Sequence, residues 1–169
     1  MNKFKICMLG SYGVGKTSLV RRYVSGTFSE RYLSTIGVKI DRKEIEVDGD
    51  PISLVLWDLH GHDEFQPVQA SYLRGAAGYI LVADGTRPQT LELLFSLSEF
   101  AKSVIGDVPF EVVINKADLR QWWNIADEIK EKFSSNGWTL HELSAKEGQG
   151  VDKLFEDLGR KILEKSKNS

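Results

Sequence analysis

A chain of 169 residues, 41% hydrophobic and 27% charged, is long enough for one domain with a sizeable core. Its net charge of −2 gives no reason to expect nucleic acid as a partner, and a single cysteine, Cys7, excludes an internal disulfide. No apolar run approaches the ~18 residues of a membrane span. No signal peptide precedes the first strand, and neither Asn2 nor the final Lys167-Asn168-Ser169 offers a lipid anchor. The expectation is one domain over residues 1–169 in a reducing cytoplasm.

In chain order, Phe4–Leu9 is apolar enough for a strand, with Cys7 as a small buried hydrophobe. Gly10-Ser11-Tyr12-Gly13-Val14-Gly15-Lys16-Thr17 follows and fits G-x-x-x-x-G-K-[ST]. Leu19, Val20, Tyr23 and Val24 then fall on one helical face. Strand, glycine loop and helix together let consecutive backbone N–H groups and a helix dipole surround an anion. Tyr12, Gly13, Val14, Gly15, Lys16, Thr17 and Ser18 are therefore candidate nucleotide contacts. Lys16 would reach the β- and γ-phosphates, and the Thr17 hydroxyl would ligate Mg²⁺. This much specifies a nucleoside triphosphate but not its base.

Ser25–Glu30 is polar and reads as a loop, with Thr35-Ile36-Gly37 in the same irregular region. Val38, Ile40, Ile45 and Val47 suggest a strand with one buried face. Asp48-Gly49 is a hairpin signal that pairs it, antiparallel, with Ile52–Trp57. A helix is expected over part of residues 64–74. Tyr79–Ala83 is continuously apolar, as in a strand buried on both faces. Leu91, Leu94, Leu97 and Ala101 repeat at helical spacing, and Phe110–Ile114 is the next strand. Ala126, Ile129 and Phe133 mark a short helix, and Trp138–Leu143 a last strand. Val151, Leu154, Phe155, Leu158 and Ile162 form the apolar face of a closing helix, with Lys161, Lys165 and Lys167 as a solvated end. Strands alternating with helices predict an α/β, mainly parallel sheet with helices on both faces. In such a sheet the glycine loop, Asp58, Asn115 and the segment after Leu143 all lie at carboxyl ends of strands, where ligands bind.

Asn115-Lys116-Ala117-Asp118 fits N-K-x-D. Guanine offers two donors on one edge, and the Asp118 carboxylate can accept both, each such bond contributing roughly 1.5–3 kcal/mol. Adenine presents an acceptor there and would be rejected. Ser144-Ala145-Lys146 supplies a second base contact if the Ala145 N–H meets guanine O6; the same stretch also reads as a capping box, Ser144-x-x-Glu147. Asp58 and Gly61 read as D-x-x-G: the carboxylate would hold Mg²⁺ directly or through water, and the Gly61 N–H would approach the γ-phosphate. Thr35 is the candidate that ligates Mg²⁺ only when that phosphate is present.

These motifs, together with Trp57 before Asp58 and Tyr72-x-Arg74-Gly75-Ala76, resemble in order and spacing the small GTPases of the Ras superfamily, particularly its Rab branch. The resemblance covers nearly the whole chain. It implies the small G domain of the P-loop NTPases, a six-stranded sheet with one antiparallel strand and about five helices. GTP or GDP with Mg²⁺ would be bound, and effector, exchange and activating proteins would be partners. Phe28 would pack against the guanine edge and Lys116 along its face. A member without a lipid anchor, including a prokaryotic one, fits the tail.

Two residues depart from the family. His62 stands where a glutamine orients the attacking water, and Tyr12 fills a position that is normally small, where it can crowd the γ-phosphate or obstruct an arginine finger. They leave two readings open. One is a slow GTPase switch with His62 positioning water beside Lys16 and Gly61. The other is a module that holds GTP and signals by occupancy and exchange.

Overall fold

The computed structural model describes residues 1–24, 31–33, 37–59 and 68–169, with the backbone alone for 31–33. Among them, seven strands form one sheet in the order β2-β3-β4-β1-β5-β6-β7. The strands are β1 (Asn2–Leu9), β2 (Arg31–Leu33), β3 (Val38–Val47), β4 (Asp50–Leu59), β5 (Gly78–Asp84), β6 (Phe110–Asn115) and β7 (Leu140–Glu142). β3 is antiparallel to both neighbours, while β1 runs parallel to β4 and β5, β5 to β6, and β6 to β7. The expected six strands, one reversed, are therefore present. The seventh, β2, is a three-residue edge strand within what reads as an irregular stretch, too short to carry an alternation pattern.

The hairpin between β3 and β4 turns at Asp48 (φ 50°) and Gly49 (φ 86°). Two successive positive φ values make the turn whose twist matches the strands, which is why Asp-Gly is favoured there. β3 corrects one expectation. Val38 and Ile40 pack with the cluster containing Tyr72 and Leu91, whereas Val47 and Ile45 pack with the cluster containing Leu19 and Phe155. Residues 40 and 45 differ in parity, so alternation sends them to opposite faces. Lys39 and Asp41 share the parity of Ile45 and are buried, 4.0 Å apart.

One face of the sheet is covered by α1 (Lys16–Val24) and α5 (Val151–Lys167), whose Tyr23 and Phe155 rings stack with centroids 4.0 Å apart. The other is covered by α2 (Ala70–Leu73), α3 (Pro88–Ile105) and α4 (Asp127–Ser135). The apolar faces expected of α1 and α5 are buried, as are Leu91, Leu94 and Ala101 of α3. Each such fully buried side chain contributes roughly 1.5–3 kcal/mol. Ala126 lies just ahead of α4 as its cap residue and is exposed. All seven residues of β5 are buried, as its unbroken apolar run requires. Cys7 is fully buried, and burial pushes its thiol up to about 12.

Tyr72 ties the strands that carry the phosphate loop and Asp58. Its hydroxyl accepts from the Met8 N–H at 3.2 Å and donates to the Trp57 carbonyl. The lysines at the end of α5 are more than a solvated cluster. Lys161 pairs with buried Glu111 at 2.8 Å, Lys167 with Asp50 at 2.6 Å, and Lys165 donates to the Asp107 carbonyl. Among the described residues no helix is long and apolar enough to cross a membrane.

Candidate functional site

The chain leaves β1 into the glycine loop with β4 on one side and β5 on the other, and the following helices, α1 and α2, cover opposite faces. That is a topological switch point, where a crevice opens beyond the carboxyl ends of the strands. Five such ends meet there. Gly10–Thr17 follow β1, Asp58 lies in the last turn of β4, Asp84 and Asn115 end β5 and β6, and Ser144 follows β7.

Asn115 joins the two sides of the site. Its amide nitrogen donates to the Val14 carbonyl at 2.9 Å, and its amide oxygen accepts from the Ala145 N–H at 3.0 Å. One carboxamide thus connects the phosphate loop to the segment after β7. Gly15 sits beneath it with φ +105°, and a Cβ there would overlap the Asn115 amide nitrogen. The motif's second glycine is required twice over, by backbone conformation and by space.

On the phosphate side, Lys16 is 7% exposed and donates to the Gly10 carbonyl at 2.7 Å. Burial pulls its ammonium below the ordinary lysine value, and the Asp58 carboxylate acts against that. Thr17 donates its hydroxyl to Asp58 Oδ2 at 2.5 Å, so the two candidate metal ligands are adjacent. Both are hard oxygen donors, the set that suits Mg²⁺, which takes few protein ligands beside phosphate and water. Gly13 and Ser18 are exposed, Val14 is fully buried, and the Tyr12 side chain is 59% exposed.

On the base side, Lys116 adopts a left-handed conformation (φ 75°, ψ 39°), uncommon for a lysine. Local bonds hold it there. The Trp123 indole N–H donates to the Lys116 carbonyl at 2.9 Å, the Leu119 N–H donates to it at 2.8 Å, and Lys116 Nζ lies 2.9 Å from Asp84 Oδ2. The half-buried Asp118 accepts from Ser144 Oγ at 2.7 Å, and that oxygen accepts from the Glu147 N–H at 3.1 Å. Half of the capping box therefore forms, but α5 starts at Val151 behind Gly150, so the bond closes a turn rather than a helix end. The Ala145 N–H, assigned from sequence to guanine O6, is engaged by Asn115. Exposed Lys146 and its neighbour are fastened from behind by Arg22, whose guanidinium donates to both carbonyls, at 3.0 Å for Ala145.

The chain fold thus brings together Tyr12, Gly13, Val14, Gly15, Lys16, Thr17, Ser18, Asp58, Asn115, Lys116, Asp118, Ser144, Ala145 and Lys146. Phe28, Thr35, Gly61 and His62 lie outside the described residues. Sequence reasoning missed four supporting residues: Arg22, Asp84, Arg87 and Trp123. Asp84 accepts from the Thr86 N–H and hydroxyl (2.9 and 2.7 Å) as well as from Arg87 and Lys116. Burial would raise its carboxyl, but those bonds outweigh it and hold the group below the usual carboxylate range. An Asp ending an apolar strand was the available signal; the others carry none, because their contacts span the chain.

A glycine-loop strand, an adjacent Thr–Asp pair and an N-K-x-D loop at one sheet edge define the small G-protein form of the P-loop NTPase fold. The Ras family model matches residues 5–164, and the chain belongs to the Ras family as a Rab-like member. It is 34% identical to Ras-related protein Rab-10 of Caenorhabditis elegans over 168 residues, covering 98% of this chain and 84% of that protein. It is 33% identical to Rab-13 of Mesocricetus auratus over 165 residues, 96% of this chain and 81% of that one. To RabJ of Dictyostelium discoideum it is 35% identical over 161 residues, 94% of this chain but 63% of that longer protein. Membership makes the protein a small GTP-binding switch of a family of GTPases.

Proposed function

We propose that the protein binds GTP and GDP with Mg²⁺ and hydrolyses GTP slowly, with the loops around Thr35 and Gly61 changing conformation as the γ-phosphate comes and goes. The observation that carries this reading is the Asn115 bridge, which fixes phosphate loop and base-recognition loop to one another before any nucleotide binds. Lys16 and the loop N–H groups neutralise the β- and γ-phosphates. Asp118 accepts the two donors of guanine, and Lys116 lies along the base. Thr17 and Asp58 would hold Mg²⁺, with Thr35 joining them in the triphosphate state, and the ion would neutralise charge on the phosphate oxygens. Exchange, effector and activating proteins would act on the Thr35 and Gly61 loops, in a cytoplasmic setting.

The rate is set by His62 in place of a water-orienting glutamine. Turnover without a partner is expected at or below the order of Ras itself, about 4 × 10⁻⁴ s⁻¹. His62→Gln should raise it. Nucleotide analysis of the purified protein, followed by single-turnover hydrolysis with and without Mg²⁺, tests the whole reading. Bound guanine nucleotide with metal-dependent turnover supports it; adenine nucleotide, or none, refutes it. A second reading, a module that keeps GTP and signals by occupancy, rests on the same His62 and on Tyr12. It would be established by bound GTP that survives many hours with Mg²⁺ present.

A further inference from the structure

Arg87 begins at the amino end of α3, far in sequence from the phosphate loop, yet its guanidinium ends on that loop. Nη2 donates to the Tyr12 carbonyl at 2.8 Å, and Nε lies 3.1 Å from Asp84 Oδ2. The same group is the neighbour of Gly13: a Cβ built there would meet Nη2 at 3.4 Å and Cζ at 4.0 Å. Pro88 follows at the first position of α3, and the Thr90 hydroxyl donates to the Arg87 carbonyl at 2.7 Å, so the backbone under the side chain is fixed. Asp84 is itself held by Thr86 and Lys116. The side chain is about one-third exposed (32%), and among the described residues Nη1 takes no partner. The cation is thus anchored at one edge and has donors left over, at the rim of the loop that cradles phosphate.

We propose that Arg87 is the protein's own arginine for the triphosphate: its guanidinium contacts the phosphates and neutralises charge as the γ-phosphoryl group transfers. The proposal rests on the GTP-binding reading above. In the step it serves, water oxygen bonds to the γ-phosphorus as the bond to the β–γ bridging oxygen breaks. The bridging electrons stay on GDP, and the water's protons pass to inorganic phosphate and solvent. The guanidinium keeps its proton throughout, as arginine must at any physiological pH. Its contribution is fixed charge in place before charge develops. Tyr12 gives this a reason to be internal. Its bulky side chain stands on the loop at the point where an arginine from another protein would have to enter, while its own carbonyl holds Arg87 in place. Arg87 acts on phosphate charge and His62 on the water, so the arginine is compatible with a low overall rate.

The test uses GDP, Mg²⁺ and aluminium fluoride, which together mimic the phosphoryl-transfer transition state, with the isolated full chain and a fluorescent GDP. The wild type is expected to form the GDP–aluminium fluoride complex without any partner protein, and Arg87→Ala to lose it while GDP affinity changes less than about threefold. Arg87→Ala should also slow single-turnover hydrolysis by at least about tenfold, a floor well under the 10³–10⁵-fold attributed to arginines at the γ-phosphate. Arg87→Lys keeps the charge without the two-point hold and should fall between them. A wild type that binds GDP but takes up no aluminium fluoride overturns the proposal and leaves nucleotide binding standing. Equal loss of GDP and GTP affinity in Arg87→Ala also overturns it, by showing that the residue only braces the loop. Absence of GDP binding in the wild type would instead remove the underlying functional reading.

Discussion

On the base side of the crevice, polar groups are already bonded to one another: Ser144 to Asp118, Ala145 to Asn115, Lys116 to Trp123 and Asp84, Arg22 to the carbonyls of Ala145 and Lys146. On the phosphate side the pattern is sparser. Lys16 and Thr17 each make one internal bond, to Gly10 and Asp58, and both partners are ones a phosphate or metal ion would compete for or share. The contrast follows from the ligands. A base is neutral and is discriminated by directional hydrogen bonds, so the groups that read it must be set in advance. A triphosphate with its metal brings enough charge to reorganise short side chains at little cost. Preorganisation is therefore concentrated where selectivity is decided, and adaptability where the ligand changes between GTP and GDP.

The sharpest way to break this contrast is at Asp118. Asp118→Ala removes the acceptor for both guanine donors, and two charge-assisted bonds of roughly 1.5–3 kcal/mol each correspond to about 10²–10⁴-fold in affinity. Preference for guanine over adenine nucleotides should vanish in a competition assay. Retained preference would mean that the base side reads its ligand by some other contact. The next effect belongs to the phosphate side. Thr17→Asn replaces the hydroxyl that faces Asp58, and Mg²⁺ and GTP binding should fall more than GDP binding, by about tenfold or more if one metal ligand is lost. Equal losses would remove Thr17 from the metal.

A smaller change probes how the base side is set. Trp123→Phe keeps an aromatic ring against Gly85, where the indole occupies the space a Cβ would fill, but removes the N–H that donates to the Lys116 carbonyl. One neutral hydrogen bond is worth about 1 kcal/mol, so GDP affinity should drop by about fivefold with guanine preference intact. Unchanged affinity would show that the left-handed Lys116 is maintained by its Leu119 bond alone.

How much of this was legible in the sequence differs between the same two regions. The phosphate loop and N-K-x-D are local, so spacing exposed them, and β5 announced itself by an unbroken apolar run. The hairpin at Asp48-Gly49 was equally local. The supports were not legible: Arg22 to Ala145 and Arg87 to Tyr12 join residues more than seventy positions apart, and no periodicity records such a contact. β3 misled for a different reason. Its four apolar residues look like one face until their parity is counted, and the buried Lys39 and Asp41 between them carry no sign of burial in their chemistry.

The smallest effect on nucleotide binding is expected at the other end of the sheet, and it measures how far the site is insulated from the rest of the fold. Buried Glu111 on β6 lies 3.1 Å from His141 Nε2 on β7 and 2.8 Å from Lys161 Nζ on α5. Burial pushes its carboxyl up, but the hydrogen bonds and charges of His141 and Lys161 outweigh that and hold it below its ordinary value of 4.5. A carboxyl held lower in the folded than in the unfolded protein stabilises the fold fully above the unfolded value, and that contribution is lost as pH falls through the folded one. The wild-type Tm should therefore fall as pH drops below about 4.5, and Glu111→Gln should remove this part of the acid dependence while lowering Tm at pH 7 by several degrees. GDP affinity at pH 7 should stay within about twofold, because Glu111 points to the α5 side while the nucleotide groups gather at the opposite strand ends. A parallel loss of affinity and stability would mean that β7 transmits strain from His141 to Ser144, and that the base side owes its order to this staple as well as to its own bonds.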